Sequence, residues 1–307
     1  MALPHHHDDQ PAAPEGTTDD AGTASADLEA TVWRRTFVDG RTVAYATVGA
    51  HDAPVLVFSH GWALGHHSYR RVLERIAANG WRVLAPAMPG FGATEDLPLR
   101  RFSVSGYARF IDGFLHALNV EEPVVVVGHS FGGAVSIKFA HDHPDRVTAL
   151  VLVNAVGGAA WEQGGRVRPI SERPLWHWAI TFPADLINLG GITKVIPAVV
   201  EDVLPNAIRN PRAIVRTSKL ARWADLTGEL ETLRERGLPM AVVWSDRDGI
   251  IPRASFEAIC QAAGVDGTVV SGNHGWLLVQ PEEFTDLLDD LLDDLTQPGA
   301  TPQVRPA

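Results

Sequence analysis

The sequence predicts an α/β fold: a mostly parallel, buried sheet whose strands alternate with helices, interrupted once by an insertion. Three observations carry this reading. The apolar runs Val55-Leu56-Val57-Phe58, Val124-Val125-Val126-Val127 and Val147 to Val153 alternate with stretches of helical spacing. Such β-branched runs suit strands buried on both faces, which requires right-handed βαβ crossovers. The alternation stops near Gly157 and resumes at Met240-Ala241-Val242-Val243-Trp244, so one sheet is divided by an inserted segment.

Taken in order, residues 1–28 are rich in Ala, Pro, Asp, Gly and Thr without apolar periodicity, and read as a disordered tail. His5-His6-His7 on such a tail is read as without a role, with metal binding as the alternative. Trp33 to Val38 and Thr42 to Val48 are strands, and Asp39-Gly40 between them is a hairpin turn signal. A helix is expected from about Ser68 to Ala78, then a short strand from Arg82 to Ala85 and the loop Pro89-Gly90-Phe91-Gly92. Ser103 to Leu118 has apolar residues at helical spacing (Tyr107, Phe110, Ile111, Phe114, Leu115, Leu118). Residues 157–236 hold Trp161, Trp176, Trp178 and Trp223 among irregular apolar helical segments. A strand near Gly267 to Val270 and a helix from Pro281 to Leu295 complete the core. That helix has a leucine-rich stripe opposite an acidic face, read as solvated. The core is therefore 29–156 with 237–296, and 297–307 is a flexible tail.

The 307 residues carry a formal net charge of −11 and are 45% hydrophobic. This balance suits a globular protein and argues against nucleic acid or an anionic membrane surface as the main partner. Cys260 is the single cysteine, so no intrachain disulfide can form; its helical neighbours Phe256 and Ile259 predict a buried thiol. No basic stretch precedes an apolar one at the N-terminus, and Pro183, Asp185 and Lys194 break the apolar region 174–200. The expectation is a soluble, cytoplasmic protein without an integral membrane segment; its oligomeric state is not legible.

The chemistry centres on Gly128-His129-Ser130-Phe131-Gly132-Gly133, which follows the valine run and opens a helix-like stretch. A strand, a sharp bend carrying serine and a helix are the context of a nucleophile elbow, so Ser130 is the candidate nucleophile. A serine hydroxyl needs a base, and the base needs an orienting acid. After the strand ending at Trp244 comes Ser245-Asp246-Arg247-Asp248-Gly249-Ile250-Ile251-Pro252, and after Val270 comes Ser271-Gly272-Asn273-His274-Gly275-Trp276. Loops at the C-terminal ends of parallel strands converge on one crevice, so both belong to the same sheet edge as Ser130. Asp246 and Asp248 compete for the acid role. His60 is expected to support its own loop through hydrogen bonds, and His66, His67, His129, His141 and His143 do not form a zinc-ligand pattern with a nearby carboxylate or cysteine.

These motifs, with His60-Gly61 and the Pro89-Gly90-Phe91-Gly92 loop, resemble the α/β-hydrolase fold superfamily over about residues 30–296. The resemblance implies an eight-stranded-type sheet with a helical cap at 157–236. It also implies Ser130 as nucleophile, His274 as general base and acid, and Asp248, four residues before Pro252, as the orienting acid. The backbone N–H groups of Trp62 and Phe131 would form the oxyanion hole. Trp62, His129, Trp276 and Trp161 are the candidate substrate-binding side chains. Ala87-Met88 and Ser245 depart from the family's common pattern, which bears on subfamily rather than on the triad. A serine at the elbow argues against epoxide hydrolase or dehalogenase chemistry. The expected reaction is cleavage of an ester or related acyl bond of a fairly apolar small molecule, without a cofactor. The alternatives are hydrolysis of a carbon–carbon bond in a vinylogous diketone, acyl transfer or perhydrolysis, and a ligand receptor on the same fold. Arg209, Arg212, Arg216, Lys219 and Arg222 recur at helical spacing in the insertion; a solvated face is the reading, with an anionic substrate left open.

Overall fold

A computed structural model describes residues 30–174, 181 and 199–296. The two predicted tails, and Trp176 and Trp178, lie outside the described residues.

Among the described residues, eight strands form one sheet in the order β1 (Val32–Val38), β2 (Arg41–Val48), β4 (Arg82–Pro86), β3 (Val55–Ser59), β5 (Val124–His129), β6 (Val147–Val153), β9 (Met240–Ser245), β10 (Thr268–Val270). β2 is antiparallel to β1 and to β4, and every other pairing is parallel. The β1–β2 hairpin turns at Asp39-Gly40, both with positive φ, the geometry that turn signal requires. Along β5, Val124 and Val126 enter one core cluster while Val125 and Val127 enter the other. This is why the strand reads as an unbroken apolar run.

Helix α1 (Arg70–Ala78) returns the chain from β3 to β4, α2 (Val104–Ala117) from β4 to β5, and α3 (Phe131–Asp142) from β5 to β6. The Ser103 hydroxyl accepts from the Gly106 N–H and caps α2. The chain places β4 on one side of β3 and β5 on the other. The C-terminal ends of β3 and β5 therefore flank the point where strand order reverses, the place where an open α/β sheet leaves a crevice.

The insertion opens with a two-stranded antiparallel hairpin, β7 (Ala160–Gln163) and β8 (Arg166–Pro169), rather than with helix. Gly164 and Gly165 both have positive φ and make its two-residue turn. The helical part follows: a π-helical turn at Val199–Val203, α4 (Leu204–Arg209), α5 (Pro211–Trp223) and α6 (Thr227–Glu235). Helix α7 (Arg253–Ala263) joins β9 to β10; the short α8 (Trp276–Val279) and α9 (Pro281–Thr296) end the core. Cys260 is buried on α7 as expected. Among the described residues no helix is long and apolar enough to cross a membrane.

Candidate active site

Ser130 sits between the last residue of β5 and the first of α3, with φ +55° and ψ −120°. A non-glycine residue holds that conformation only where its surroundings enforce it. The Ser130 N–H donates to Val153 O at 3.1 Å, and its carbonyl accepts from the N–H groups of Gly133 and Val156 at 2.9 and 3.0 Å. The glycines of the motif leave room for the bend: a Cβ on Gly132 would lie 2.1 Å from the Ser59 carbonyl oxygen, and one on Gly128 would lie 2.7 Å from the Gly133 Cα. Phe131 opens α3, so its N–H belongs to the first turn, where a helix offers no internal acceptor.

The loop after β3 lies against the elbow, because a Cβ on Gly61 would stand 3.3 Å from the Ser130 Cβ. His60 fixes that loop. The Met88 N–H donates to His60 Nε2 at 2.8 Å, so the ring proton is on Nδ1, which donates to Gly61 O at 2.8 Å. The peptide unit is planar and trans, so holding the Gly61 carbonyl on one side aims the Trp62 N–H to the other. Burial lowers the pKa of His60, which keeps the ring neutral. Met88 serves through its backbone, so the side chain that departs from the family pattern leaves this clamp intact.

Asp248 and His274 meet at 2.8 Å, Oδ2 to Nδ1, with the carboxylate fully enclosed. The other oxygen, Oδ1, accepts from the N–H groups of Ile250 and Ile251 at 2.7 and 2.8 Å. Asn154, the first residue after β6, donates from Nδ2 to Asp248 Oδ2 at 2.5 Å and accepts from Trp276 Nε1 at 3.1 Å. The Ser245 hydroxyl donates to Asn273 O at 2.9 Å, joining the loops after β9 and β10. Asp246 is half-exposed; its Oδ1 accepts from the Gly272 N–H at 3.0 Å and makes no contact of this kind with His274.

A buried bridge ties the loop after β3 to that after β10. The Gly61 N–H can only donate, so Tyr69 Oη accepts from it at 3.1 Å, and the phenol proton passes to His129 Nδ1 at 2.7 Å. His129 therefore carries its proton on Nε2, which donates to the His274 carbonyl at 3.0 Å. Burial, then the nearby His274 ring, depresses the pKa of His129 strongly, so it is a neutral strut.

The structure changes part of the predicted substrate-binding set. His129 is enclosed and uses both ring nitrogens within the protein, so it is not a lining residue. Trp276 is 2% exposed, stacks edge-on with Phe284 and supports Asn154, which removes it from the lining set as well. Trp161 is buried on β7, the hairpin strand that packs against α7. Trp62 is partly exposed and its Nε1 donates to Ile214 O on α5 at 2.9 Å, between the loop after β3 and the insertion. Sequence reasoning missed Tyr69, Asn154, Arg173, Asp202 and Asn206. Asn154 had one available signal, its place at the C-terminal end of a parallel strand; the others had none.

The insertion is anchored over these loops. Asp202 accepts from the Ser68 N–H and hydroxyl and from His67, while Asn206, one turn on, donates to the carbonyls of Ala63 and Leu64 and accepts from the Gly92 N–H. The predicted basic stripe divides: on α5 Arg216 faces Asp96 and Arg222 donates to main-chain carbonyls, whereas Arg212 and Lys219 on α5 and Arg209 at the end of α4 are exposed. Among the described residues no group of three His, Cys, Asp or Glu side chains is arranged to hold a metal ion.

Comparison with known proteins agrees with this architecture. A family model for the alpha/beta hydrolase fold matches residues 54–169. The chain is 28% identical over 272 residues to a putative non-heme haloperoxidase of Mycobacterium phage D29, a match covering 84% of this chain and 93% of that one. It is 30% identical over 276 residues to the dihydrolipoyllysine-residue acetyltransferase component of the acetoin cleaving system of Cupriavidus necator, covering 84% and 68%. Among solved structures, the bromoperoxidase from Bacillus anthracis aligns with a TM-score of 0.69 at 18% identity, covering 86% of this chain and 100% of that one. With an eight-stranded, mostly parallel sheet, a serine elbow after its central strand and these relatives, the chain belongs to the α/β-hydrolase fold family.

Proposed function

We propose that the protein is a serine hydrolase that cleaves an ester or related acyl bond of a fairly apolar small molecule through an acyl-enzyme on Ser130. The observation that carries this reading is the enclosed Asp248–His274 pair at 2.8 Å, on the sheet edge where Ser130 occupies its strained elbow. Asp248 fixes the imidazole so that Nδ1 carries a proton and Nε2 is the nitrogen that accepts one. His274 takes the Ser130 proton as Oγ attacks the acyl carbon, then gives that proton to the leaving alcohol. A water, deprotonated by the same nitrogen, attacks the acyl-enzyme; the acid leaves and Ser130 is reprotonated. The N–H groups of Phe131 and Trp62 stabilise the tetrahedral oxyanion, the second aimed by the His60 clamp. Residues 157–236 act as the cap that roofs the crevice, and no cofactor takes part.

The test is an ester screen of graded acyl chain length on the full chain, with a vinylogous diketone as the comparison substrate and Ser130→Ala as the control. Ester turnover and labelling by a fluorophosphonate are expected for the native protein, and neither for the variant. Labelling that persists in Ser130→Ala, or turnover of the diketone alone, overturns the reading.

The haloperoxidase relative favours a second reading, perhydrolysis, in which hydrogen peroxide takes the place of water. Its attack on the same acyl-enzyme releases a peracid and restores Ser130. Peracid formation when peroxide is added to the ester assay distinguishes it from plain hydrolysis.

A further inference from the structure

We infer that Arg173, a buried arginine of the insertion, is a positioning residue for the triad acid, holding Asp248 through two peptide units of the loop after β9. The inference rests on the reading of Asp248 as the orienting acid. Arg173 is 2% exposed and donates from Nη2 to Gly249 O and from Nη1 to Ile250 O, both at 2.7 Å. The N–H groups of those same two peptide units, on Ile250 and Ile251, are the ones that donate to Asp248 Oδ1. In a planar trans peptide the carbonyl and the N–H point in opposite directions. Each unit therefore lies with its carbonyl on the guanidinium and its N–H on the carboxylate. Charge-assisted hydrogen bonds at both ends polarise the unit between them.

This arrangement has a chemical consequence beyond anchoring. Two donors on Oδ1 commit that oxygen, so Oδ2 is the one left to face His274 Nδ1. The cation also offsets part of the carboxylate's field at the imidazole. Burial lowers the pKa of Arg173 to about 10 while Asp248 opposes the shift, so the guanidinium stays charged at neutral pH. The other groups facing the pair are His129, whose ring centroid is 4.9 Å from that of His274, and Arg222, which donates to the Arg173 carbonyl at 3.1 Å. Asp246 and Arg247 flank the acid on the same loop but are half-exposed or more, where solvent screens them. Since Arg173 belongs to the insertion, seating of the insertion and alignment of the acid are one event.

The experiment compares Arg173→Met and Arg173→Lys in the full chain on the best ester of the screen. Arg173→Met is expected to lower kcat by about tenfold with KM within about twofold, as misplacement of a catalytic group does. The midpoint of the acid limb in kcat/KM should rise by about half a pH unit, because loss of a cation favours the imidazolium. Arg173→Lys should keep the limb near its native position and recover part of kcat, since one ammonium reaches one carbonyl rather than two. An unmoved acid limb in Arg173→Met, or a change confined to KM, reduces Arg173 to a structural anchor and overturns the inference. If Arg173→Met does not fold, the lysine variant decides alone, and native kcat in it is the overturning result. Asp248→Asn is run beside them. Native turnover in that variant defeats the triad reading itself, whereas its loss with normal Arg173 variants defeats only this inference.

Discussion

His129 Nε2 donates to the His274 carbonyl at 3.0 Å, so the residue beside the proposed nucleophile holds the backbone of the proposed base. The same ring receives the Tyr69 phenol, which in turn receives the Gly61 N–H. The loop that presents Trp62 and the loop that presents His274 are thus set by one neutral bridge behind Ser130. Tyr69→Phe removes the central oxygen and leaves the Gly61 N–H and His129 Nδ1 buried and unpaired. Each unpaired group costs about 1–3 kcal/mol. The variant should unfold at clearly lower urea concentration, and its kcat should fall by about tenfold with KM little changed. Denaturation curves and steady-state kinetics on one ester check both; a stability loss with native kcat would show that the bridge does not set the catalytic geometry.

The two carboxylates of the loop after β9 stand in different surroundings. Asp248 is enclosed with both oxygens occupied, whereas the half-exposed Asp246 accepts from the Gly272 N–H and faces Arg247 at 3.6 Å. Asp248→Asn should lower kcat by about 10⁴, because an amide cannot hold the imidazole in the useful tautomer. Asp246→Asn keeps an acceptor for Gly272 and should retain kcat within about twofold, a surface substitution of small effect. Equal losses in the two variants would contradict the assignment.

Why the elbow and the loop after β9 are legible in the sequence, while Tyr69 and Arg173 are not, is a matter of which constraints are local. The elbow is written in consecutive residues because its strain must be relieved by neighbours: valines before it, glycines around it, a helix after it. Strand β9 and its loop are legible for the same reason, an apolar run followed by turn residues. Tyr69 and His129 are 60 positions apart, and Arg173 meets its carbonyls 76 and 77 positions on. No periodicity links such partners; only the folded sheet edge does. The β7–β8 hairpin was hidden differently: its strands are four residues each, too short for an alternation pattern to stand out from the irregular segments around them. Trp276 misled because its place beside His274 in sequence suggested the pocket, while α8 turns the indole into the core beneath the sheet.

Gly132 is the most sterically constrained position of the elbow. A Cβ there would come within 2.1 Å of Ser59 O, 2.5 Å of Ser59 C and 2.7 Å of His60 O, all main-chain atoms at the end of β3. Nothing flexible can yield, so α3 must separate from β3. Gly132→Ala should lose roughly 3 kcal/mol or more of stability, the upper end of overpacking effects. Activity should fall further than stability alone explains, because Phe131 and Trp62 stand on opposite sides of the widened gap. Chemical denaturation, paired with the fraction of folded protein that reacts with a fluorophosphonate, separates the two effects.

The acidic face of α9 is not uniformly solvated, and one member of it should make stability depend on pH. Asp289 is half-buried where α9 meets α1 and accepts from Asn79 just beyond the end of α1. Burial raises its pKa to about 6, and Asp293, Asp286 and Asp290 add to the rise against the opposing Asn79 bond. An unfolded aspartate titrates near 3.9, so between about pH 4 and 6 the folded chain binds the extra proton. Stability from this group therefore declines as pH rises through that window, and the full cost of ionising Asp289 persists above it. Asp289→Asn removes the charge and retains a carbonyl acceptor for Asn79. At pH 7.5 its Tm should exceed that of the native protein, the difference should shrink as pH falls and disappear near pH 4, and salt should reduce it by screening the neighbouring aspartates. Thermal melts of the two proteins from pH 4 to 8 test this; a difference independent of pH would place the effect in packing rather than in charge.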